Sequence, residues 1–210
     1  METIVYLIKS AKELPQKAFR EYNVNETLEE RKKKQILSAT GELQAKKLAK
    51  SAIFENVRVI YTSAYVSAVG SAKYLAEERN IPLNVDELLN ERKIGTIDDK
   101  NNPLFLYREE HDFDSKEGGA ESVNEAKERF KKIFEAILFT HTESQIAIFT
   151  HEKVIMAFLL NYLEPKYNLE DKLILTFKAK NFPAQLNEAD GFKLTFEGSE
   201  IINIDKIELE

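Results

Sequence analysis

The sequence predicts an α/β layered fold with a largely parallel central sheet. Short runs of apolar and β-branched residues alternate with longer amphipathic stretches along the whole chain. The runs stop abruptly at small, polar or charged residues, as strands do where the carboxyl edge of a sheet carries function. No linker, repeat or low-complexity tract divides the 210 residues, so a single domain over residues 1–210 is expected. A chain of this length can bury roughly 70% of the surface its unfolded form exposes.

The first run, Ile4 to Ile8, reads as a buried strand and closes on Lys9-Ser10-Ala11-Lys12-Glu13. The stretch from Glu13 to Gln35 is very polar, and Glu29-Glu30-Arg31-Lys32-Lys33-Lys34 at its centre reads as a solvated loop or helix face. Thr40 to Ala49 follows a Ser/Thr cap region and sets Leu43, Lys47 and Leu48 at helical spacing. Val57 to Tyr61 is a β-branched strand that gives way to Thr62-Ser63. Ser67 to Glu78 carries Ala68, Ala72, Leu75 and Ala76 on one helical face. Asp98 to Gly119 is irregular and is expected to form a mobile insertion near the site. Ser122 to Leu138 places Val123, Ala126, Phe130, Ile133, Phe134 and Ile137 on the stripe of a long amphipathic helix. Gln145 to Phe149 is a third strand, ending at Thr150-His151. Leu173 to Lys178 and Phe192 to Phe196 alternate more and suggest an edge or antiparallel region.

Composition narrows the function classes. Hydrophobic residues make up 43% and charged residues 31%, ordinary values for a soluble globular chain. A net charge of -6 argues against a general nucleic-acid surface. No stretch reaches the ~20 apolar residues of a membrane span, and the N-terminus lacks a signal-peptide pattern, so a cytoplasmic protein is expected. The absence of cysteine excludes disulfides, thiolate metal sites and cysteine catalysis. The three histidines, His111, His141 and His151, show no helical metal-ligand spacing, so neither metal nor cofactor is expected.

Five further segments join the first strand end in a recognisable order. Leu37-Ser38-Ala39-Thr40-Gly41-Glu42-Leu43-Gln44-Ala45 is similar to Leu-Thr-x-x-Gly-x-x-Gln-Ala. Ile60 to Ala72 is similar to a Tyr-Ser-Ser-Pro-x-x-Arg-Ala-x-x-Thr-Ala segment, and Leu89-Asn90-Glu91-Arg92-Lys93-Ile94-Gly95 to Leu-x-Glu-x-x-x-Gly. Gly118-Gly119-Ala120-Glu121-Ser122 with Arg129 is similar to Gly-Gly-Glu-Ser and its trailing Arg. Ile148-Phe149-Thr150-His151-Glu152-Lys153-Val154 is similar to Val-Ser-His-Gly-Gly-Val. Together these resemble the histidine phosphatase (phosphoglycerate-mutase-like) superfamily, whose first strand ends in Arg-His-Gly. The resemblance implies a three-layer sandwich, with helices on both faces of the sheet.

It also implies roles, and several are lost here. Lys9 stands at the first Arg and keeps the charge without the bidentate fork. Ser10 stands at the nucleophilic His, and Ser67 at the second Arg. Glu91 matches an acidic member of the site, and His151 matches the second His, with Glu152-Lys153 in place of Gly-Gly. Lys9, Ser67 and His151 are therefore the candidate anion-binding positions, and His151, Glu91 and Ser10 the vestigial catalytic ones. Read from the residues alone, His151 fits a helix cap and Glu91 a surface ion pair with Arg92 or Lys93 equally well. Lys12 and Lys153 read as surface lysines that could also restore some positive charge. Ser10 lacks the surroundings of a serine nucleophile, since no Gly-x-Ser-x-Gly encloses it. The expected function is a pseudoenzyme with a reduced pocket for a small phosphorylated or anionic ligand. A weak or altered phosphatase is the alternative. A protein-interaction module, using the Glu29–Lys34 or Asp98–Gly119 surface, is the third, with any protein partner left open. With Lys9 as the only permanent cation, phosphate binding is expected to strengthen below pH ~6.5 as His151 gains a proton.

Overall fold

The first predicted strand forms over Glu2–Lys9 (β1) and lies inside a six-stranded sheet. The computed structural model describes residues 2–15, 26–93, 95, 107–108, 110–116 and 118–208. Residues 16–25 of the polar stretch and 96–106, most of them in the predicted insertion, lie outside the described residues. After β1 come α1 (Leu28–Lys33), α2 (Ala39–Ala49), β2 (Val57–Thr62), α3 (Val66–Arg79) and β3 (Leu83–Val85). Then follow α4 (Val123–Thr140), β4 (Gln145–Thr150), α5 (Glu152–Leu159), β5 (Glu164–Tyr167), β6 (Leu173–Phe177), β7 (Lys180–Pro183), β8 (Gly191–Glu197) and β9 (Glu200–Ile207).

The large sheet runs in the order β3-β2-β4-β1-β8-β9. Its first four strands are parallel, and β8 and β9 add antiparallel ladders. Strand alternation splits the core into two layers, because successive side chains leave opposite faces. Tyr6, Ile8, Ile60 and Phe149 face α2 and α3, packing against Ala45, Leu48, Ala72 and Leu75. Val5, Leu7, Ile146 and Ile148 face the other way, toward Phe130 and Phe134 of α4 and Phe158 of α5. The Phe134 and Phe158 rings lie 4.4 Å apart, so aromatic packing fixes how the two helices meet. The expected three-layer arrangement is thus present.

The late alternating strands are antiparallel, as expected: Phe192–Phe196 lies in an interior strand covered by β9, and Leu173–Phe177 in a separate three-stranded sheet in the order β5-β6-β7. That small sheet is tied to the outer strand by lysines: Lys178 Nζ donates to the Ile202 carbonyl (2.8 Å) and Lys180 Nζ to that of Ile204 (3.0 Å). Leu43, expected on the buried stripe of α2, is 67% exposed. The helix buries its small residues Gly41, Ala45 and Ala49 with Leu48 instead, because it approaches the backbone after β1 very closely. A Cβ at Gly41 would lie 2.1 Å from the Lys12 carbonyl oxygen. In the predicted insertion, helical residues Tyr107 and His111 are held down by aromatic stacking. The His111 ring lies between Tyr107 (4.0 Å) and Tyr167 (4.3 Å), with Asp171 3.3 Å from Nε2.

The close approach of α2 clamps the loop that leaves β1. Ser38 donates both its amide (2.9 Å) and its hydroxyl (3.0 Å) to the Lys12 carbonyl while its Oγ accepts from Gly41 N. Gln44 accepts from the Lys12 amide (3.0 Å), and the buried Ser71 hydroxyl accepts from that of Ala11 (2.9 Å). Gly41→Ala should therefore destabilise the protein by about 1–3 kcal/mol through overpacking against backbone. Gly70→Ala should be near neutral, since its nearest contact is the Leu37 side chain at 3.3 Å and helix propensity improves by ~1 kcal/mol. Urea unfolding of the two variants makes the comparison, and equal midpoints would show that the clamp is not rigid.

Candidate functional site

Three parallel strands deliver their carboxyl ends to one crevice, the usual ligand position of an open α/β sheet. The Ser10 amide donates to the Thr150 carbonyl (2.9 Å) and the Ser63 amide to that of Phe149 (2.9 Å), so the ends of β1, β4 and β2 lie side by side. Lys9, Ser10, Glu91 and His151 all line the resulting cavity of about 430 Å³, together with Lys12, Glu13, Lys32, Glu152, Lys153 and Glu188. Lys9 and His151 therefore converge, as do the two lysines that read as ordinary surface residues.

The surviving groups are engaged in ways that the sequence does not reveal. Lys9 Nζ lies 2.7 Å from Glu152 Oε2 and donates to the Leu186 carbonyl at the same distance. The cation is thus bound to a carboxylate from the first residue of α5. Glu91 lines the cavity and is fixed by backbone amides. Its carboxylate accepts from the amides of Lys153 (3.3 Å) and Val154 (2.9 Å), capping the helix end where negative charge is favoured. Arg129 fixes that arrangement. It forks onto Glu121 (2.7 and 2.8 Å) and donates to the carbonyls of Leu88 (2.6 Å) and Asn90 (3.0 Å), holding the turn that carries Glu91.

His151 sits at the N-cap position of α5 but makes no side-chain cap. Its Nε2 is 2.8 Å from Ser63 Oγ, which also accepts from the Tyr65 amide (3.2 Å). The Tyr65 ring covers the imidazole at 4.6 Å. With the backbone amide using an acceptor site on Ser63, the hydroxyl proton is available to Nε2 of a neutral imidazole. Burial, with smaller contributions from Lys32 and Lys9, pushes its pKa down to about 3. The expectation that His151 charges below pH 6.5 is therefore corrected: it is a neutral, buried group at any ordinary pH. Ser63 itself is fully buried and orients the ring instead of presenting a nucleophile.

Ser67 is likewise corrected as an anion-binding position. It is fully buried, its hydroxyl makes no hydrogen bond of standard geometry, and it does not line the cavity. What stands in the crevice nearby is a carboxylate. Glu13 is pushed up from its ordinary pKa by burial, partly offset by the Ser67 hydroxyl and Lys32; Glu91 raises it further and Lys9 lowers it. Lys32 arrives from α1, whose Thr27–Glu30 capping box starts a helix in the run read as solvent-facing. Glu13, Lys32 and Ser63 are the residues that sequence reasoning missed. The Thr27–Glu30 spacing was the one local signal for α1, and nothing local pointed Glu13 inward. Among the described residues the cavity wall carries Lys9, Lys12, Lys32 and Lys153 against Glu13, Glu91, Glu152 and Glu188, with no net positive charge.

A family model for the histidine phosphatase superfamily (branch 1) matches residues 7–178. The chain belongs to that superfamily. Solved structures agree at the level of fold. A mycobacterial hydrolase matches with a TM-score of 0.71 at 17% identity, covering 98% of this chain and 97% of its own. A mycobacterial glucosyl-3-phosphoglycerate phosphatase matches at 0.68 and 17%, with the same coverage. A phosphoserine phosphatase variant from Entamoeba histolytica, in complex with phosphoserine, matches at 0.70 and 14%, covering 99% and 98%. A search of curated protein sequences found no match. Among the described residues no helix is long and apolar enough to cross a membrane, and no group of His, Asp and Glu could hold a metal ion.

The site geometry relocates the pH dependence. Because the folded pKa of His151 is depressed, its contribution to stability is complete above ~6.5 and falls away as the pH drops toward 3. Beyond the step from phosphate's own second ionisation, phosphate binding should show none near pH 6.5 that depends on His151. It should strengthen in acid as Glu13 protonates, and Glu13→Gln should bind about tenfold more tightly than wild type at pH 7, with that pH dependence removed. Calorimetric titration of inorganic phosphate at several pH values tests this. A step near pH 6.5 that vanishes in His151→Gln would show that the imidazole titrates after all.

Proposed function

We propose that this superfamily member is a pseudoenzyme: a histidine-phosphatase scaffold that has lost phosphotransfer and keeps a charge-balanced pocket for a small phosphorylated or anionic ligand. The carrying observation is the Glu13 carboxylate standing in a crevice where Ser10 replaces the nucleophile and Ser67 the second arginine. Phosphoryl transfer to a side chain needs an in-line nucleophile and fixed positive charge around the equatorial oxygens. Here the hydroxyl of Ser10 has no described hydrogen bond to a base, since the Nε2 of His151 is turned to Ser63. Lys9 is committed to Glu152, and the other three lysines of the wall, Lys12, Lys32 and Lys153, are equalled in number by Glu13, Glu91 and Glu188. A polar site of this kind still supports ligand binding. The phosphoserine complex of a variant relative, in which a histidine is replaced by alanine, is a precedent for binding on this fold.

Purified protein should turn over p-nitrophenyl phosphate and small sugar phosphates no faster than buffer. A rate above background that Ser10→Ala or His151→Ala abolishes would establish a phosphatase instead. Ser10→His alone should give at most a trace of activity. Adding Ser67→Arg should raise it by about 10²- to 10³-fold, the usual worth of one electrostatic donor, and Glu13→Gln should raise it again by freeing that arginine from its neighbouring carboxylate. Robust turnover from the single Ser10→His change would mean that the missing cation is supplied by another residue.

A further inference from the structure

We propose that a second, apolar cavity on the far side of the Glu152–Lys153 turn binds a small amphiphilic carboxylate. This proposal does not depend on whether the polar pocket has lost phosphotransfer. The cavity holds about 320 Å³, within the ~300–1,000 Å³ of ordinary small-molecule sites. None of Lys9, Ser10, Ser67 or His151 lines it. Its walls come from three parts of the fold: Met156, Ala157 and Leu160 of α5, Leu173 and Leu175 of β6, and Phe113 from the turn before α4. Such walls accept hydrocarbon, and Met156 adds a flexible, polarizable side chain that adapts to differently shaped guests.

The polar groups select the other end of the ligand. Among the described residues the lining includes Arg92, Lys153 and Lys172 against Glu110 and Glu152; Lys172 is held by Glu170 (2.8 Å) and Glu152 by Lys9, which leaves Arg92 and Lys153 against Glu110, a balance of one positive charge. Glu152 is already bound to Lys9, which reduces its repulsion of an incoming anion. Arg92 is 3% exposed, and its Nη1 is held by the Glu121 carbonyl at 3.0 Å, so the guanidinium is buried and pre-oriented at the cavity. A fixed guanidinium plane suits a carboxylate. A single surplus charge suits a monoanion better than a phosphate dianion, whose second charge would meet Glu110 and Glu152 in an apolar setting where unpaired charge is disfavoured.

Octanoate and 1-octanol are the probes, titrated by calorimetry or by ligand-observed NMR into the full-length protein. Octanoate should bind, and 1-octanol about tenfold more weakly. Lys153→Glu should weaken octanoate about tenfold and leave 1-octanol unchanged. Ala157→Leu should remove both by filling the cavity. Ala184→Phe, at a half-exposed position on the same wall, repeats the test where folding is less at risk, and circular dichroism confirms that each variant is folded. Failure of octanoate to bind at about 10 mM would overturn the site, as would equal binding to wild type and a folded cavity-filling variant. Binding of 1-octanol as tight as that of octanoate would overturn the choice of a carboxylate.

Discussion

The contact on which the site depends is the 2.7 Å ion pair between Lys9 at the end of β1 and Glu152 at the start of α5. It joins a central strand to the first turn of the helix that follows its parallel neighbour. Both side chains are largely shielded, 19% and 30% exposed, so the pair is worth more than a surface bridge. Its position gives it two consequences. It withdraws the cation that the fold presents at the strand end, and it makes the first turn of α5 the wall between the polar crevice and the apolar cavity. A glycine at either member of the Glu152–Lys153 pair would leave these spaces with a thinner partition.

The same helix end gives Glu91 a structural task that is independent of any chemistry in the crevice. Four amides at a helix N-terminus need acceptors, and His151 at the cap position supplies none from its side chain. Glu91 satisfies two of them, and Arg129 holds the turn that carries it through a bidentate pair with Glu121 and two carbonyl contacts. This cluster is a structural unit in its own right. It accounts for the Leu-x-Glu and Gly-Gly-x-Glu-Ser segments on structural grounds alone.

The sequence made most of the sheet legible because β1 and β4 are buried on both faces and read as apolar runs, and because β2 is rich in β-branched residues although Arg58 interrupts it. It concealed α1, a six-residue polar helix whose capping box is its main signal, and β9, whose Ile201-Ile202-Asn203-Ile204 does not alternate cleanly. At the site, Lys9, Ser10, Ser67, Glu91 and His151 were placed by their similarity to family segments. Their present states were not, since protonation and pairing are set by tertiary neighbours. His151 is neutral because Tyr65 and the crevice bury it, and Tyr65 is 86 positions away in the chain. Glu13 and Lys32 meet because the segment after α1 pairs with the loop after β1, through the Glu13–Leu37 bridge, the Leu14 amide on the Ile36 carbonyl (2.8 Å) and Gln35 Nε2 on the Leu14 carbonyl (2.8 Å).

Among the changes at this crevice, charge is the most consequential. Serine for the nucleophile removes the covalent route but leaves the cradle's field untouched. Serine for the second arginine, together with an inward glutamate, changes the field itself: it removes a positive charge and brings a negative one close by. At a separation of about 6 Å and an effective dielectric near 20, each unit charge alters the energy of a dianion by several kcal/mol. That exceeds the ~2.7–4 kcal/mol lost with one oxyanion donor. On the proposed reading, a phosphoryl group brought to this crevice meets an environment unsuited to its transition state even with a nucleophile in place. The raised pKa of Glu13 is the same fact seen from the protein's side: burial and Glu91 make its charge costly, and Lys32 and Lys9 only partly offset that. The crevice is consequently a place where charges are held in balance, which on the proposed reading suits reversible recognition over phosphoryl transfer.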